Sequence, residues 1–308
     1  MTFSTIHQIT SLNMSLKTLM QLYVQRQGLD EFEGDYSTAI ENVRFYRSAK
    51  GHQRKPTMYK SGLIVLGQGT KTVYAGGESI PYGEGDCLMM GVPIPVECEA
   101  VPNHEQPILG IGVEIPMHIL QRQVGQIKAS MDRKALDKQS EQLTICCEPI
   151  DAKLNKACER LMEALCDDLE AKVLGESLLE EVVFFALLSN GGNILFNLAD
   201  NEGKYARIAA TLKHIHTRYS ESLTVSELAS IANMSISSFH TAFRLVTLES
   251  PVQYIKKVRL NRGRDLICFE GKRVNEAAEI VGYSSAEQFS REFKRHFNQT
   301  PTKAALSL

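Results

Sequence analysis

Two stretches in the last third of the chain carry the same punctuation. Each has a short helical segment, a turn of three or four residues, and a second helix that opens at a small polar cap. The first pairs residues 225–232 with 236–246, and the second pairs 274–281 with 285–297. Thr224-x-x-Glu227 is a capping box, in which a hydroxyl and a carboxylate satisfy free N–H groups at a helix start. Ser284-x-x-Glu287 has the same form, and Ser235 caps the helix from Ile236. Ser250-Pro251 sets a cap and an N1 proline at the head of a long helix to Phe269, which Gly271 closes. Gly282 and Asn298 suit left-handed helix ends, and Pro301 prevents continuation. Ile208, Leu212, Ile215 and Tyr219 mark a further helix before the first pair.

This grammar is that of the helix-turn-helix, whose second helix enters the DNA major groove. Ala229, Ile231 and Met234 in one unit, and Ala277, Ile280 and Val281 in the other, are the expected packing between paired helices. Phe239, Phe243, Phe289, Phe293 and Phe297 recur at helical spacing on the buried faces, so they are core anchors and not a stacking platform. The opposite faces carry Ser237, His240 and Thr241 in the first unit, and Ala286, Glu287, Ser290 and Arg291 in the second. These are the candidate base-reading residues. Arginine can hold guanine with two hydrogen bonds, glutamate can accept from cytosine, and small hydroxyls serve base edges or phosphates. Arg244, Lys256, Lys257, Lys294 and Arg295 are the candidate phosphate partners, which position without specifying. The competing reading of the pattern is an all-helical interaction domain. Each charge taken singly reads better as a solvated face.

Charge supports the DNA reading. From Tyr205 onward there are 15 Lys and Arg against 9 Asp and Glu, a net of +6, while the first 204 residues hold 19 against 27, a net of −8. A basic small unit on an acidic larger one suits a nucleic-acid reader attached to something that avoids nucleic acid. At 308 residues the chain has room for two cores. Residues 1–198 are the expected first domain, 199–204 a polar linker (within NLADNEGK), and 205–308 the helical second domain. No apolar run reaches the roughly 20 residues of a membrane span, and the first residues lack a secretory pattern. Seven cysteines, at 87, 98, 146, 147, 158, 166 and 268, show no pairing framework, which fits a reducing cytoplasm.

From Ala39 to about Glu114 the texture is β-rich. Short runs stand at 43–46, 58–66, 72–75, 87–92, 96–101 and 108–115, separated by Gly-rich turns. Closely spaced short strands point to a small antiparallel barrel or jelly roll. Helices are expected over 117–139, 151–169 and 173–189, the last two with broad apolar stripes. Those stripes either cover the barrel or form a two-fold dimer interface, and the homodimer through 151–189 is the favoured reading. A barrel mouth is a natural small-molecule site. Tyr46, Tyr59, Tyr74, Cys87 and Cys98 are the candidate lining.

Enzymatic readings find little footing. A metal-dependent barrel enzyme needs clustered His and carboxylate ligands, whereas this region offers only His52 and His104, far apart. Gly67-x-Gly69 and Gly110-x-Gly112 lack a third glycine and a following helix, so neither cradles a dinucleotide. No metal, cofactor or catalytic residue is assigned. Cys87 and Cys98 have two readings, a thiol sensor of oxidants or electrophiles and plain buried hydrophobes.

The segments MSISSFHTAFRLVTLESPVQYIKKVRLNRGRDLI at 234–267 and EAAEIVGYSSAEQFSREFKRHFNQTP at 276–301 resemble the DNA-binding domain of the AraC/XylS family of bacterial transcription regulators. The likeness covers about 100 residues, with SPVQYIKKVRL and VGYSSAEQFSREFKRHF at the family's order and spacing. It implies two recognition helices joined by one long helix and reading adjacent major-groove segments. VQRQGLDEFEGDYSTAIENVRFYRS and PYGEGDCLMM resemble, more weakly, the family's cupin-like sensor domain. The fold class implied is α+β in two domains, a cupin-like β-barrel with flanking helices followed by an all-α domain. The function implied is that of an effector-responsive, cytoplasmic regulator or activator. Its expected partners are promoter or operator DNA, a small effector, a second copy and RNA polymerase. Three departures from the family pattern stand out: Leu248 and Asn298 where glycine or another small residue is usual, and Gly263 where alanine is usual. A mid-helix glycine costs about 1 kcal/mol relative to alanine.

Overall fold

The computed structural model describes residues 14–103, 106–130, 144–199 and 203–306. His104, the end of the helix expected to run to 139, and part of the expected linker lie outside them. A first helix, α1 (Leu16–Gln27), is capped by the Ser15 hydroxyl and closed by Gly28. Nine strands follow: β1 (Gly34–Ser37), β2 (Val43–Ser48), β3 (His52–Tyr59), β4 (Gly62–Gln68), β5 (Thr70–Ala75), β6 (Glu78–Gly83), β7 (Asp86–Met90), β8 (Ile94–Val101) and β9 (Ile108–Glu114). Helix α2 (Met117–Ser130), strand β10 (Ile145–Pro149), and helices α3 (Ala152–Leu165), α4 (Asp168–Leu188) and α5 (Asn193–Ala199) complete the first part. Seven helices then run to the end of the described chain: α6 (Lys204–Arg218), α7 (Val225–Ile231), α8 (Ile236–Thr247), α9 (Pro251–Cys268), α10 (Val274–Ile280), α11 (Ala286–Phe297) and α12 (Pro301–Ala305).

The strands form two antiparallel sheets facing each other, ordered β1-β2-β9-β4-β7-β10 and β3-β8-β5-β6. Period-two alternation sorts their side chains. On the first sheet, Val43, Phe45, Leu63 and Val65 point outward under the helices and are at most 2% exposed. The Tyr23 ring of α1 packs on Phe45 at 4.9 Å between centroids. Arg44, Tyr46 and Ile64 point into the barrel and are only half-buried. The run 58–66, expected as one strand, is a β3–β4 hairpin broken after Tyr59. Strands β1, β6 and β10 and most of β3 were not among the expected runs.

Helices α3 and α4 pack on each other and on the barrel. Asp151 caps α3 and Asp167 caps α4, each carboxylate accepting from two backbone N–H groups. Leu178, Leu179, Val182, Val183 and Ala186 of α4 are buried. Each such side chain contributes roughly 1–3 kcal/mol of transfer free energy.

In the helical part the Thr224–Glu227 capping box is formed as expected. The second expected box is not: Ser285, one residue later than Ser284, caps α11 by accepting from the Gln288 N–H. Ile231 and Ile280, expected as packing, are 40% and 38% exposed, whereas Ala229, Ala277 and Val281 are buried. Gly263 explains its own departure. A Cβ there would stand 2.7 Å from the Phe289 ring, so the ring rests directly on the α9 backbone. Leu248 ends α8 in the left-handed region at φ 62. Its side chain lies against Gly76 at the β5–β6 turn, which ties the helical part to the barrel.

That tie is extensive. The buried Tyr254 hydroxyl donates to the Pro93 carbonyl at 2.8 Å and accepts from His216 Nε2 at 2.8 Å. The Thr144 hydroxyl donates to the Leu245 carbonyl, and the Arg264 guanidinium to that of Pro56. Burial holds His216 neutral, its pKa lowered from 6.5 to about 4, with Lys60 adding repulsion. His52 and His296 are lowered to about 4, again chiefly by burial. The unfolded chain therefore takes up protons below pH 6.5 that the folded chain refuses. Stability is complete above about pH 6.5 and is lost as pH falls towards 4. The urea midpoint of the full chain is expected to drop between pH 7 and 5, and His216→Gln should flatten that slope. An unchanged midpoint across the window would contradict the burial of these imidazoles.

Candidate nucleic-acid interface and barrel interior

The two short helix pairs present their second helices through aromatic packing. Phe239 and Phe243 of α8 are fully buried, and Phe243 meets Tyr254 of α9 edge-on at 5.5 Å. Phe289 and Phe293 of α11 are likewise buried, stacked at 5.5 Å on each other and on α9. With those faces turned inward, the opposite faces must be outward. Ser237, His240, Thr241 and Arg244 of α8 are exposed, as are Glu287, Arg291, Lys294 and Arg295 of α11. Ala286 and Ser290 are half-buried at the start and edge of α11. The Thr241 hydroxyl donates back to the Ser237 carbonyl, which leaves its lone pairs free. Ser237, His240 and Thr241 lie in the leading half of α8 and Glu287 and Arg291 in that of α11, where a groove-inserted helix meets base edges, whereas Arg244, Lys294 and Arg295 stand in the last turns.

Two of the five candidate phosphate partners are turned elsewhere. Lys256 pairs with Glu292 at 3.5 Å, and Tyr283 donates to the same carboxylate at 2.9 Å. This triad fastens α11 to α9. Lys257 pairs with Glu249 and lines a crevice of about 510 Å³ between the helical part and the barrel, opposite Glu97 and Arg54. His296 of α11 also faces that crevice. Position on the long helix decides this, because its 256–257 turn faces Glu292 of α11 and Glu249 of the α8–α9 turn. Arg244, Lys294 and Arg295 make no ion pair among the described residues.

Arg259 is a residue that spacing alone did not reveal. Its guanidinium donates to the carbonyls of Tyr219, Glu221 and Gly282. It thereby holds the end of α6 and the α10–α11 turn against α9. An arginine at the centre of a long helix carries no pattern signal of such a task.

The barrel interior sorts the five candidate pocket residues. Tyr46 faces inward, with the Lys71 ammonium 3.3 Å from its ring centroid. Tyr59 and Cys98 also face inward but satisfy each other. The Tyr59 hydroxyl donates to Cys98 Sγ at 3.1 Å and sits 3.1 Å from the Tyr82 hydroxyl. Burial raises both phenols well above their usual range, so both stay neutral. Tyr74 is on the outer face of β5, under the Arg54 guanidinium and bonded to Glu99, and lines the crevice instead. Cys87 points outward beneath α3, where burial, then the neighbouring Cys158, pushes its thiol well up. Strand alternation is the reason in both cases: residues 74 and 87 have the wrong parity for the interior.

Comparison with known proteins supplies the family. The family model described as AraC-type transcriptional regulator N-terminus matches residues 39–194, and a helix-turn-helix domain model matches 228–305. The Msm operon regulatory protein of Streptococcus mutans is 33% identical over 103 residues, which is 33% of this chain and 37% of that protein. The HTH-type transcriptional regulator AlkR of Acinetobacter baylyi is 34% identical over 97 residues, 32% of each chain. The match to these curated relatives thus spans about a third of their length. Among solved structures, ToxT from Vibrio cholerae superposes over 86% of this chain and 98% of its own at a TM-score of 0.59 and 12% identity, which shows a shared fold. ToxT has also been solved with an unsaturated fatty acid, and with (E)-4-(8-methylnaphthalen-1-yl)but-3-enoic acid.

The ion pairs sort the cations by experiment. Lys294→Ala and Arg295→Ala are each expected to weaken binding to any duplex and to shallow the salt dependence by about one unit of slope. Lys257→Ala should leave that slope unchanged. Fluorescence anisotropy with a random duplex between 50 and 200 mM salt, roughly the range over which phosphate contacts show, checks both. A slope lowered by Lys257→Ala would place that lysine on the phosphates.

Proposed function

Since the chain belongs to the AraC-type transcriptional regulators, we propose that it reads a promoter or operator duplex through α8 and α11 and that a small molecule in the barrel modulates this binding. The domain division expected from the sequence, 1–198 and 205–308 about a short linker, is kept in this reading. One observation carries it. Two helices with buried aromatic faces are held on one linking helix, each with an exposed row of polar and basic residues along its outer face. Ser237, His240, Thr241, Ala286, Glu287, Ser290 and Arg291 are the base-reading set; Arg244, Lys294 and Arg295 are the phosphate set. The half-open barrel interior, together with the ligand-bound forms of ToxT, supports the effector. Nothing in the reading calls for catalysis by the chain itself, or for a metal or cofactor.

Dimerisation through α3 and α4 belongs to the same reading. Leu169 and Val173 on the outer face of α4 are 70% and 66% exposed, with Phe184 and Leu188 further along. An apolar row left uncovered on a helix suits an isologous contact with a second copy. Two copies would double a contact that is short for one. RNA polymerase is the partner implied for an activator.

Mobility shifts with the DNA upstream of its own gene at about 100 mM salt test the main reading. Specific retardation is expected, and Arg291→Ala should relax discrimination at one base pair by about 1–3 kcal/mol. Absence of any specific complex would sink it. Sedimentation of the full chain tests the dimer separately: a dimer is expected for wild type and a monomer for Leu169→Glu with Val173→Glu. A wild-type monomer throughout would remove the interface.

A further inference from the structure

One charged group in the barrel is left without the partner its burial demands. Lys71 projects inward from β5 and is only 7% exposed. Its ammonium rests on the Tyr46 ring across the barrel. Among the described residues no carboxylate approaches it within ion-pair distance and no acceptor takes its protons. The nearest acid, Asp35, is the register partner of Tyr46 on β1 and stands exposed at the rim. An aromatic face compensates a cation only in part. A buried ammonium otherwise needs a full counter-charge or loses its proton. Burial does lower the Lys71 pKa, with Cys98 and Asp35 acting the other way.

The space beside it is open. Gly112 of β9 faces the same interior as Arg44 and Ile64, its register partners on β2 and β4. A Cβ built on Gly112 would meet nothing within 4 Å. Ile64 lies in a strand paired on both sides, yet its inward side chain is half-exposed, whereas Leu63 and Val65 behind it are 1% exposed. The barrel wall here is unfilled, with Ile64 on one side of Gly112 and Arg44 on the other. Tyr59, Tyr82 and Cys98 engage one another, Arg44 donates to the Ser37 hydroxyl and the Asp35 carbonyl, and Lys55, the register partner of Cys98, is exposed to solvent.

We infer that the barrel binds a small organic monoanion, a carboxylate whose oxygens meet the Lys71 ammonium and whose apolar body lies along Gly112 and Ile64. This rests on the effector reading above and gives it a chemical class and a residue. An ammonium held over the Tyr46 ring with no carboxylate beside it selects a ligand that brings a negative charge to it. A neutral ligand would leave the ammonium as it is. Binding completes a buried ion pair whose cationic half is already held in place by Tyr46, which lowers the ordering cost.

The test is calorimetric titration of the full-length protein with benzoate and octanoate, each set against its neutral amide. At least one carboxylate is expected to bind about tenfold or more tightly than its amide. Lys71→Met should abolish that preference, and Lys71→Arg should keep part of it. Gly112→Leu should weaken carboxylate and amide alike by filling the chamber with the charge intact. Lys71→Met should unfold at equal or higher urea, since it removes a buried unpaired charge. The inference is overturned if neither carboxylate binds at millimolar concentration, if the amides bind equally, or if Lys71→Met binds as wild type does. Operator binding measured on the same preparations separates the two readings. A protein that retards its operator and ignores both carboxylates loses the anion site and remains a regulator. One that binds a carboxylate through Lys71 and no operator keeps the site and loses the regulator.

Discussion

Everything at the DNA-facing end depends on how closely aromatic rings approach the long helix α9. Phe243 meets Tyr254 near its start, and Phe289 lies on bare backbone at Gly263 near its end. These two seatings, about two turns apart on one rigid rod, orient both recognition helices. Arg259 and the Lys256–Glu292–Tyr283 triad then lock rotation about them. The helix-turn-helix units are thus faces of one body, whose outward polar rows follow from what is buried behind them.

The same helix also faces the barrel. Tyr254 is at once a wall of the aromatic cluster, the acceptor of His216 and the donor to Pro93. Leu248 accepts a left-handed backbone that costs a non-glycine residue roughly 1 kcal/mol, and its side chain lies on the barrel hairpin at Gly76. What resembled a departure from family pattern is a contact across the domain junction. An effector that alters the barrel wall has a short mechanical route to α8 through these residues.

Much of this was legible in the sequence, and the remainder was not for definite reasons. Caps, prolines and the spacing of Phe239, Phe243, Phe289 and Phe293 placed α8, α9 and α11 within a residue or so, while α12, which Pro301 opens, had no expected counterpart. The second capping box slipped by one position because Ser284 and Ser285 offer equivalent hydroxyls. Strands β1, β6 and β10 are short or poor in β-branched residues (GDYS, ESIPYG, ICCEP), so local propensity is silent about them. Their pairing is a long-range event. Parity assigned faces wrongly at Tyr74 and Cys87, because inside and outside are settled by which sheet a strand joins. Lys71 drew no notice at all: a lysine in a run of threonines reads as solvated until the opposite sheet is in place.

The buried side chains divide unevenly. The apolar cluster between the barrel and its covering helices continues without a break through Tyr205, Ile208 and Leu212 into Phe239, Phe243 and Tyr254. A second, separate cluster of Leu260, Leu266, Val281, Phe289, Phe293 and Ala304 serves α10, α11, α12 and the end of α9. In folding terms the first helix-turn-helix belongs to the barrel's cooperative unit, and the second is a small unit of its own. Local opening free energies differ between such units. In the proposed reading the half of the DNA site assigned to α8 is therefore tied to the state of the barrel, while the half assigned to α11 rests on a smaller core of its own.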